Sequence, residues 1–324
     1  MSRFDLKVIA TRRLPAPVEA KLFELFGAEL NTEGAPFGRE RIAQAMARCD
    51  VLAPTVTDRI DAALIAGAGP RLKLIANFGV GLDHVDLAAA KAKGIAVTNT
   101  PGVLTEDTAD LVMALILMAP RRLGEGERVL RAGQWAGWGP TGKLGRSLTG
   151  KALGIIGMGR IGTAVARRAK ACGMRVHYHN RKPVDPAVEA ELGATYWPEL
   201  DSMLPEMDVV SVMSPYSHET HHLIDGRRLG LMKREAYLIN AARGGIVEEE
   251  ALIAALEERR IAGAGLDVYP NEPHVDPRLV ALENVVLLPH MGSATVEART
   301  AMGEKVVSNI LAFAEGRPLP DRVV

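Results

Sequence analysis

The sequence predicts an α/β protein of two doubly wound parallel sheets, the second domain inserted into the first. Three observations carry this. Short unbroken apolar runs alternate with helical stretches along nearly all of the 324 residues, the pattern of parallel strands covered on both faces by helices. The alternation breaks at Asn99-Thr100-Pro101-Gly102, a turn signal, and restarts after residue 150. A last helical stretch after His290 has no strands of its own and must return to the first domain. The length also suits about two domains.

In chain order, the first strands are expected at Lys7–Ala10, Val51–Ala53, Leu72–Ala76 and Ile95–Thr98. Helices at Val18–Phe26, Arg39–Arg48 and Asp58–Ala66 separate them. One long helix is expected from Thr105 to Arg131, with Thr105 as N-cap and Glu106, Asp107 and Asp110 at the positive end of its dipole. The loop Gly133–Pro140 exposes Trp135 and Trp138, two of only three tryptophans. Exposed tryptophan marks an interface or a loop stapled onto its own domain. The second strand set is expected at Ala152–Ile156, Met174–His179, Ala194–Trp197, Val209–Met213, Tyr237–Asn240, Gly265–Val268 and Val285–Leu288, before a final helix Thr295–Ala314. The implied division is residues 1–101 with 291–324 in one domain and 102–290 in the other.

Composition narrows the function classes. Lys plus Arg and Asp plus Glu balance at 39 each, so no global field favours nucleic acid or an anionic membrane as a partner. The two cysteines, Cys49 and Cys172, give neither a disulfide framework nor metal-ligand spacing. The N-terminus reaches a strand within a few residues and shows no signal-peptide core. The longest apolar run, Leu111 to Ala119, is about half the ~20 residues that span a bilayer. A cytoplasmic location is expected.

The strand Ala152–Ile156 runs into Gly157-Met158-Gly159-Arg160-Ile161-Gly162, and Ala164, Val165, Ala166 and Ala169 continue at helical spacing. In this G-x-G-x-x-G turn the first glycine permits the bend, the second lets backbone approach a pyrophosphate, and the third lets helix pack on strand. The helix N-terminus then faces the diphosphate of a dinucleotide. About 20 residues on, an NAD site places an acid against the ribose. Here the strand ends in Asn180-Arg181-Lys182, with no acid until Asp185. Asn180 would not repel a 2′-phosphate and Arg181 would bond it, which favours NADP(H) and leaves NAD(H) possible. The plainer reading makes Arg181 and Lys182 solvated surface charges.

Three later loops each end a strand with one polar residue in an unusual setting. Arg243 precedes paired glycines in Asn240-Ala241-Ala242-Arg243-Gly244-Gly245, Glu272 lies in the proline-stiffened Asp267–Pro273, and His290 ends Leu287-Leu288-Pro289-His290. Singly each has a bland reading as surface or structural charge. Their joint placement after strands of one nucleotide-binding sheet points to a reaction site.

Across essentially all its residues the chain resembles the D-isomer-specific 2-hydroxyacid dehydrogenases, in particular the glyoxylate/hydroxypyruvate reductase branch. The resemblance rests on Asn77–Asp86, Thr98–Thr105, Gly157–Gly162, Asn240–Gly245, Gly265–Tyr269 with Glu272-Pro273, and Pro289–Thr295. It implies a Rossmann-like cofactor domain inserted into a flavodoxin-like substrate domain. It implies that Arg243 grips the substrate carboxylate and polarises the 2-oxo group, and that His290 protonates the carbonyl oxygen. By the same likeness Glu272 orients His290 and favours its charged form, and the backbone amides of Val80 and Gly81 hold the carboxylate a second time. Besides Gly157, Gly159, Arg160, Ile161, Gly162, Asn180 and Arg181, the cofactor contacts it implies are Thr105, Pro215, Ala241, Asp267 and Gly292.

Trp135 and Trp138 match a loop that in this branch crosses a two-fold dimer, with Trp138 lining the neighbour's substrate pocket. A homodimer is therefore expected. No metal is required, and His177, His179, His221 and His222 read as strand alternation and a solvated pair. The implied activity is NADPH-preferring reduction of glyoxylate or hydroxypyruvate to the D-2-hydroxy acid. The alternatives are another D-2-hydroxyacid dehydrogenase, for D-lactate or a bulkier 2-oxo acid, and an NAD(H)-sensing binding protein on the same fold, like the dehydrogenase-related co-repressors. Ser214-Pro215-Tyr216-Ser217 departs from the family's usual Pro-Leu-Thr type of loop.

Overall fold

The computed structural model describes residues 4–324. Two compact units form, one from the chain up to Leu104 together with Ser293–Val324, the other from Thr105–Gly292.

In the first unit β1 (Val8–Ala10), β2 (Val51–Ala53), β3 (Leu74–Ala76) and β4 (Ala96–Thr98) make a parallel sheet in that order. A single parallel bridge from Ile9 to Glu29 extends it beyond β1. Counting that segment, the spatial order becomes 2-1-3-4-5, a doubly wound arrangement. The helix expected from Asp58 begins instead at Ala62, where the Asp61 carboxylate caps it by accepting from Leu64 N–H. Asp58 is buried and accepts from the Thr11 hydroxyl at 2.6 Å and from Thr55 N–H at 2.7 Å. A short acid that bonds neighbouring backbone in this way competes with helix formation. The C-terminal helix Val296–Ala314, capped by Thr295, crosses the helix Ala16–Phe26 at Gly303. A Cβ at Gly303 would stand 2.3 Å from a methyl of Val18.

The second unit holds β5 (Ala152–Ile156), β6 (Arg175–His179), β7 (Thr195–Tyr196), β8 (Val209–Val212), β9 (Tyr237–Asn240), β10 (Gly263–Leu266) and β11 (Val285–Leu287). They pair in parallel in the order β11-β10-β9-β8-β5-β6-β7. All five residues of β5 are buried, as expected of a central strand covered on both faces. The strand order reverses between β5 and β8, which creates the crevice where such sheets bind ligands.

Two expectations in this unit need correction. β10 lies two residues earlier than Gly265–Val268, because Gly263 and Gly265 are themselves ladder residues pressed by neighbours. A Cβ at Gly265 would meet Leu115 Cβ at 3.1 Å, and one at Gly263 would meet Asn284 O at 2.4 Å. The single long helix is two helices, Thr105–Arg121 and Leu123–Arg131, separated by Arg122 in the left-handed region at φ 55°. Pro120 lacks the N–H that would continue the ladder and crowds the carbonyl four residues back. Among the described residues no helix is long and apolar enough to cross a membrane.

Candidate active site

The Gly turn leaves β5 at the strand-order reversal. Gly157 has φ 103°, and a Cβ there would lie 2.5 Å from Ser214 N; a Cβ at Gly162 would lie 2.4 Å from Gly157 O. Both glycines are therefore required by protein neighbours. Gly159 differs: nothing lies within 4 Å of its Cβ position. It is the N-cap of the helix Arg160–Ala171, so open space lies on the Cβ side of the residue that starts this helix.

Asn180 has a task that the sequence does not declare. Its Oδ1 accepts from Met158 N–H at 2.7 Å, which fixes the turn from the end of β6. Tyr196 Oη in turn donates to Asn180 O at 3.1 Å. Arg181 is exposed, and Asp185 is occupied capping the helix Pro186–Leu192 by accepting from Ala187 N–H. Pro215 follows Ser214, whose backbone abuts Gly157. Beyond it stands an acid that sequence reading passed over. Glu219 accepts from Ser217 Oγ at 2.6 Å; that bond and its own backbone N–H, with smaller help from the charges of His218 and Arg181, hold its carboxyl below the usual range.

Each of the three polar loops is braced by side-chain to backbone bonds. After β9, Asn240 is buried, accepts from Ala242 N–H at 3.1 Å and donates to Arg243 O at 3.0 Å. This small turn carries Ala241 and sets the Arg243 backbone. Arg243 Nη1 donates to Ala242 O at 2.8 Å. Directly beyond, a Cβ at Gly244 would stand 2.0 Å from Tyr269 C and 2.3 Å from Pro270 N. The loop carrying Glu272 thus lies on the loop carrying Arg243.

Glu272 Oε1 accepts from Tyr269 N–H at 3.0 Å, and Oε2 lies 2.7 Å from His290 Nδ1. The two side chains are 30% and 32% exposed. Burial raises the Glu272 carboxyl, yet the bond and charge of His290, the Tyr269 amide and the Arg243 charge together hold it below its ordinary value. Tyr269 Oη donates to Leu288 O at 3.0 Å, tying the middle loop to the third.

His290 itself has φ 52°, a left-handed conformation that costs a non-glycine residue roughly 1–3 kcal/mol. Asp267 supplies what holds it. Its two carboxylate oxygens accept from Met291 N–H at 2.7 Å and Gly292 N–H at 2.9 Å, the two amides that follow His290. Asp267 is 1% exposed, and burial raises its carboxyl. The Thr108 hydroxyl donates to Gly292 O at 3.0 Å and pins the same segment.

The structure therefore brings Arg243, Glu272, His290, Asp267 and Gly292 into one cluster, and the Gly turn, Asn180 and Pro215 into another, both in loops that follow strands of one sheet. Thr105 is the first residue of its helix. Val80 and Gly81 belong to the first unit, in the loop after β3. Trp138 is 85% exposed and Trp135 63% exposed. His177 and His179 are engaged with Trp197, and His221 stacks on His222 at 3.8 Å. Among the described residues no three His, Cys, Asp or Glu side chains converge as a metal site.

A doubly wound sheet with a glycine turn at its switch point, followed by an Arg, Glu and His cluster, defines a dinucleotide-dependent enzyme. A family model described as the NAD binding domain of D-isomer specific 2-hydroxyacid dehydrogenases matches residues 113–292. A glyoxylate reductase of Thermococcus litoralis is 44% identical over 321 residues, covering 98% of this chain and 96% of that one. Among solved structures, a glyoxylate reductase from Paecilomyes thermophila superposes with a TM-score of 0.88 at 33% identity, with 98% of each chain covered. An NADPH-dependent glyoxylate/hydroxypyruvate reductase from Sinorhizobium meliloti, solved with NADP and malonate, gives a TM-score of 0.87 at 37% identity over 100% of this chain and 97% of that one. The chain belongs to the D-isomer-specific 2-hydroxyacid dehydrogenase family, in its glyoxylate reductase branch. It is an oxidoreductase with a Rossmann-like domain for a nicotinamide cofactor.

Proposed function

We propose that this enzyme reduces glyoxylate and hydroxypyruvate to glycolate and D-glycerate, with NADPH preferred over NADH. The observation that carries the reading is the 2.7 Å pair of His290 and Glu272, with the Arg243 charge acting on the same carboxylate. Glu272 holds Nδ1 and leaves the other ring nitrogen of His290 to deliver a proton to the substrate's carbonyl oxygen. Arg243 offers a planar fork of donors to the carboxylate and the 2-oxo group. The first unit acts as the substrate domain, with the Val80 and Gly81 amides as the second grip on the carboxylate. A nicotinamide cofactor, when bound, supplies the hydride.

The residues present fit such a cofactor. The open face of Gly159 suits a pyrophosphate at the helix N-terminus, beside Gly157, Arg160, Ile161 and Gly162. Thr105, Pro215, Ala241, Asp267 and Gly292 serve its remaining length. Preference for NADPH is supported by the neutral Asn180, the exposed Arg181 and the engagement of Asp185 in a helix cap. The similarity to the Sinorhizobium meliloti reductase, itself NADPH-dependent, supports the same preference.

The exposed Trp135 and Trp138 suit a two-fold homodimer in which Trp138 enters the partner's pocket. The loop that bears them is anchored at its far end by Lys143 on the buried Glu125, 2.7 Å apart. The free thiols Cys49 and Cys172 suit a reducing cytoplasm.

Initial rates with glyoxylate, hydroxypyruvate, pyruvate and phenylpyruvate, each with NADH and NADPH, test the reading. Glyoxylate and hydroxypyruvate with NADPH should be fastest. A preference for pyruvate or phenylpyruvate would move the enzyme elsewhere in its family, and no turnover with any 2-oxo acid would end the reading.

A further inference from the structure

The loop after β3, in the first unit, carries a set of hydrogen bonds outside the Arg243, Glu272 and His290 cluster. Asn77 is fully buried. Its Nδ2 donates to Gly79 O at 3.1 Å and to Gly81 O at 3.2 Å, and its Oδ1 lies 2.9 Å from His84 Nε2. An amide whose nitrogen donates to two carbonyls presents its oxygen as acceptor, so His84 Nε2 carries the hydrogen. Gly79 O accepts also from Thr100 N–H at 3.0 Å. Between them, Val80 O accepts from Asn99 Nδ2 at 2.9 Å. Three successive carbonyls are therefore held by named donors.

These bonds decide where the amides point. In a planar trans peptide the N–H is antiparallel to the carbonyl of the preceding residue, and the one cis bond among the described residues is Glu272–Pro273. The Val80 N–H shares its peptide with Gly79 O, so Asn77 and Thr100 set its direction. The Gly81 N–H shares its peptide with Val80 O, so Asn99 sets its direction. Gly79 allows the tight approach: a Cβ there would stand 2.8 Å from Val56 Cγ1 and 3.2 Å from Asn77 Nδ2.

We propose that Asn77 and Asn99 are positioning residues for substrate binding: they hold the carbonyls of Gly79, Val80 and Gly81 so that the Val80 and Gly81 amides are preorganised for the substrate carboxylate. This rests on the proposed role of those two amides. Preorganised amides lose little freedom on binding, and each bond to a charged acceptor is worth about a tenfold change in affinity or more.

The experiment compares Asn99→Ala, Asn77→Ser and Val80→Pro with wild type by steady-state kinetics, by inhibition with oxamate as a carboxylate probe, and by thermal melting. Asn99 is half-buried at the end of β4, so its variant decides the question if Asn77→Ser fails to fold. The expected result is a rise of roughly tenfold in glyoxylate KM and in the oxamate inhibition constant. The cofactor KM should stay within about twofold, and kcat should change much less than KM. Val80→Pro, which removes one amide hydrogen, should raise the same two constants. If Val80→Pro does so while the asparagine variants leave both constants alone, the positioning role is wrong and the amide grip stands. If Val80→Pro leaves both constants unchanged, the amide grip itself fails and the positioning role with it. Equal changes in every kinetic constant together with a lowered melting temperature would mark the asparagines as merely structural and overturn the proposal.

Discussion

Gly244→Ala probes the contact that joins the Arg243 loop to the Glu272 loop. The new Cβ would fall 2.0 Å from Tyr269 C, 2.3 Å from Pro270 N and 2.4 Å from Tyr269 O. All three are backbone atoms, so no side chain can rotate away, and one loop must move by about an ångström or more to restore ordinary contact distances. Overpacking of this kind costs roughly 1–3 kcal/mol. The larger effect is on rate. Tyr269 N–H holds Glu272 Oε1, Glu272 Oε2 holds His290, and Arg243 immediately precedes the substituted residue. A misplacement of about 1 Å among reacting groups costs on the order of a hundredfold. Gly244→Ala should therefore lower kcat/KM for glyoxylate by about two orders of magnitude and the melting temperature by several degrees. Gly230→Ala is the control, since no atom lies within 4 Å of its Cβ position; it should be neutral or slightly stabilising. If Gly244→Ala keeps kcat/KM within about threefold of wild type, the two loops are not coupled as described.

Three further outcomes are expected. His290→Ala should abolish reduction while leaving cofactor affinity, read by fluorescence titration, nearly intact; loss of cofactor binding instead would mean that the proton donor lies elsewhere. The Glu272 carboxyl is held below its ordinary value of 4.5, so its contribution to stability is complete above that pH and is lost as pH falls through the lowered value. The melting difference between wild type and Glu272→Gln should then shrink as pH falls below about 5; a difference that shrinks already between pH 7 and 6 would contradict the direction of the shift. Arg181→Ala should raise the NADPH KM by about tenfold or more and barely alter that for NADH, whereas equal changes for both would return Arg181 to the ordinary surface charges.

Much of the fold was legible where burial and chain pattern coincide. β5 and β9 lie where their apolar runs place them, because a central parallel strand is covered on both faces and its apolar run is the whole signal. β10 was displaced because its ladder contains Gly263 and Gly265, whose value lies in the neighbours they admit and not in any hydrophobicity of their own. The apolar stretch around Pro120 reads as one helix through to Arg131, and nothing local announces the left-handed Arg122 that ends the first helix. Of the site, Arg243, Glu272 and His290 stood out only jointly, as polar residues in three loops that follow strands of one sheet. What holds them is less readable. The Asp267 clamp spans more than twenty residues of sequence, Gly244 acts through atoms of another loop, and Asn180 serves the Gly turn from the next strand. Such bonds are set by distance in space, and nothing in local residue spacing reports them.

The contrast among the three glycines of the turn separates two kinds of selection. Positions 157 and 162 are closed to any side chain by the protein's own atoms, whereas position 159 opens onto empty space and has φ −86°, ψ −158°, a conformation that ordinary residues adopt. A mutant library sorted for stability alone should discard substitutions at 157 and 162 and retain many at 159. The same library sorted for cofactor retention should lose them. Mutational tolerance at that one position can therefore report ligand constraint with folding constraint removed.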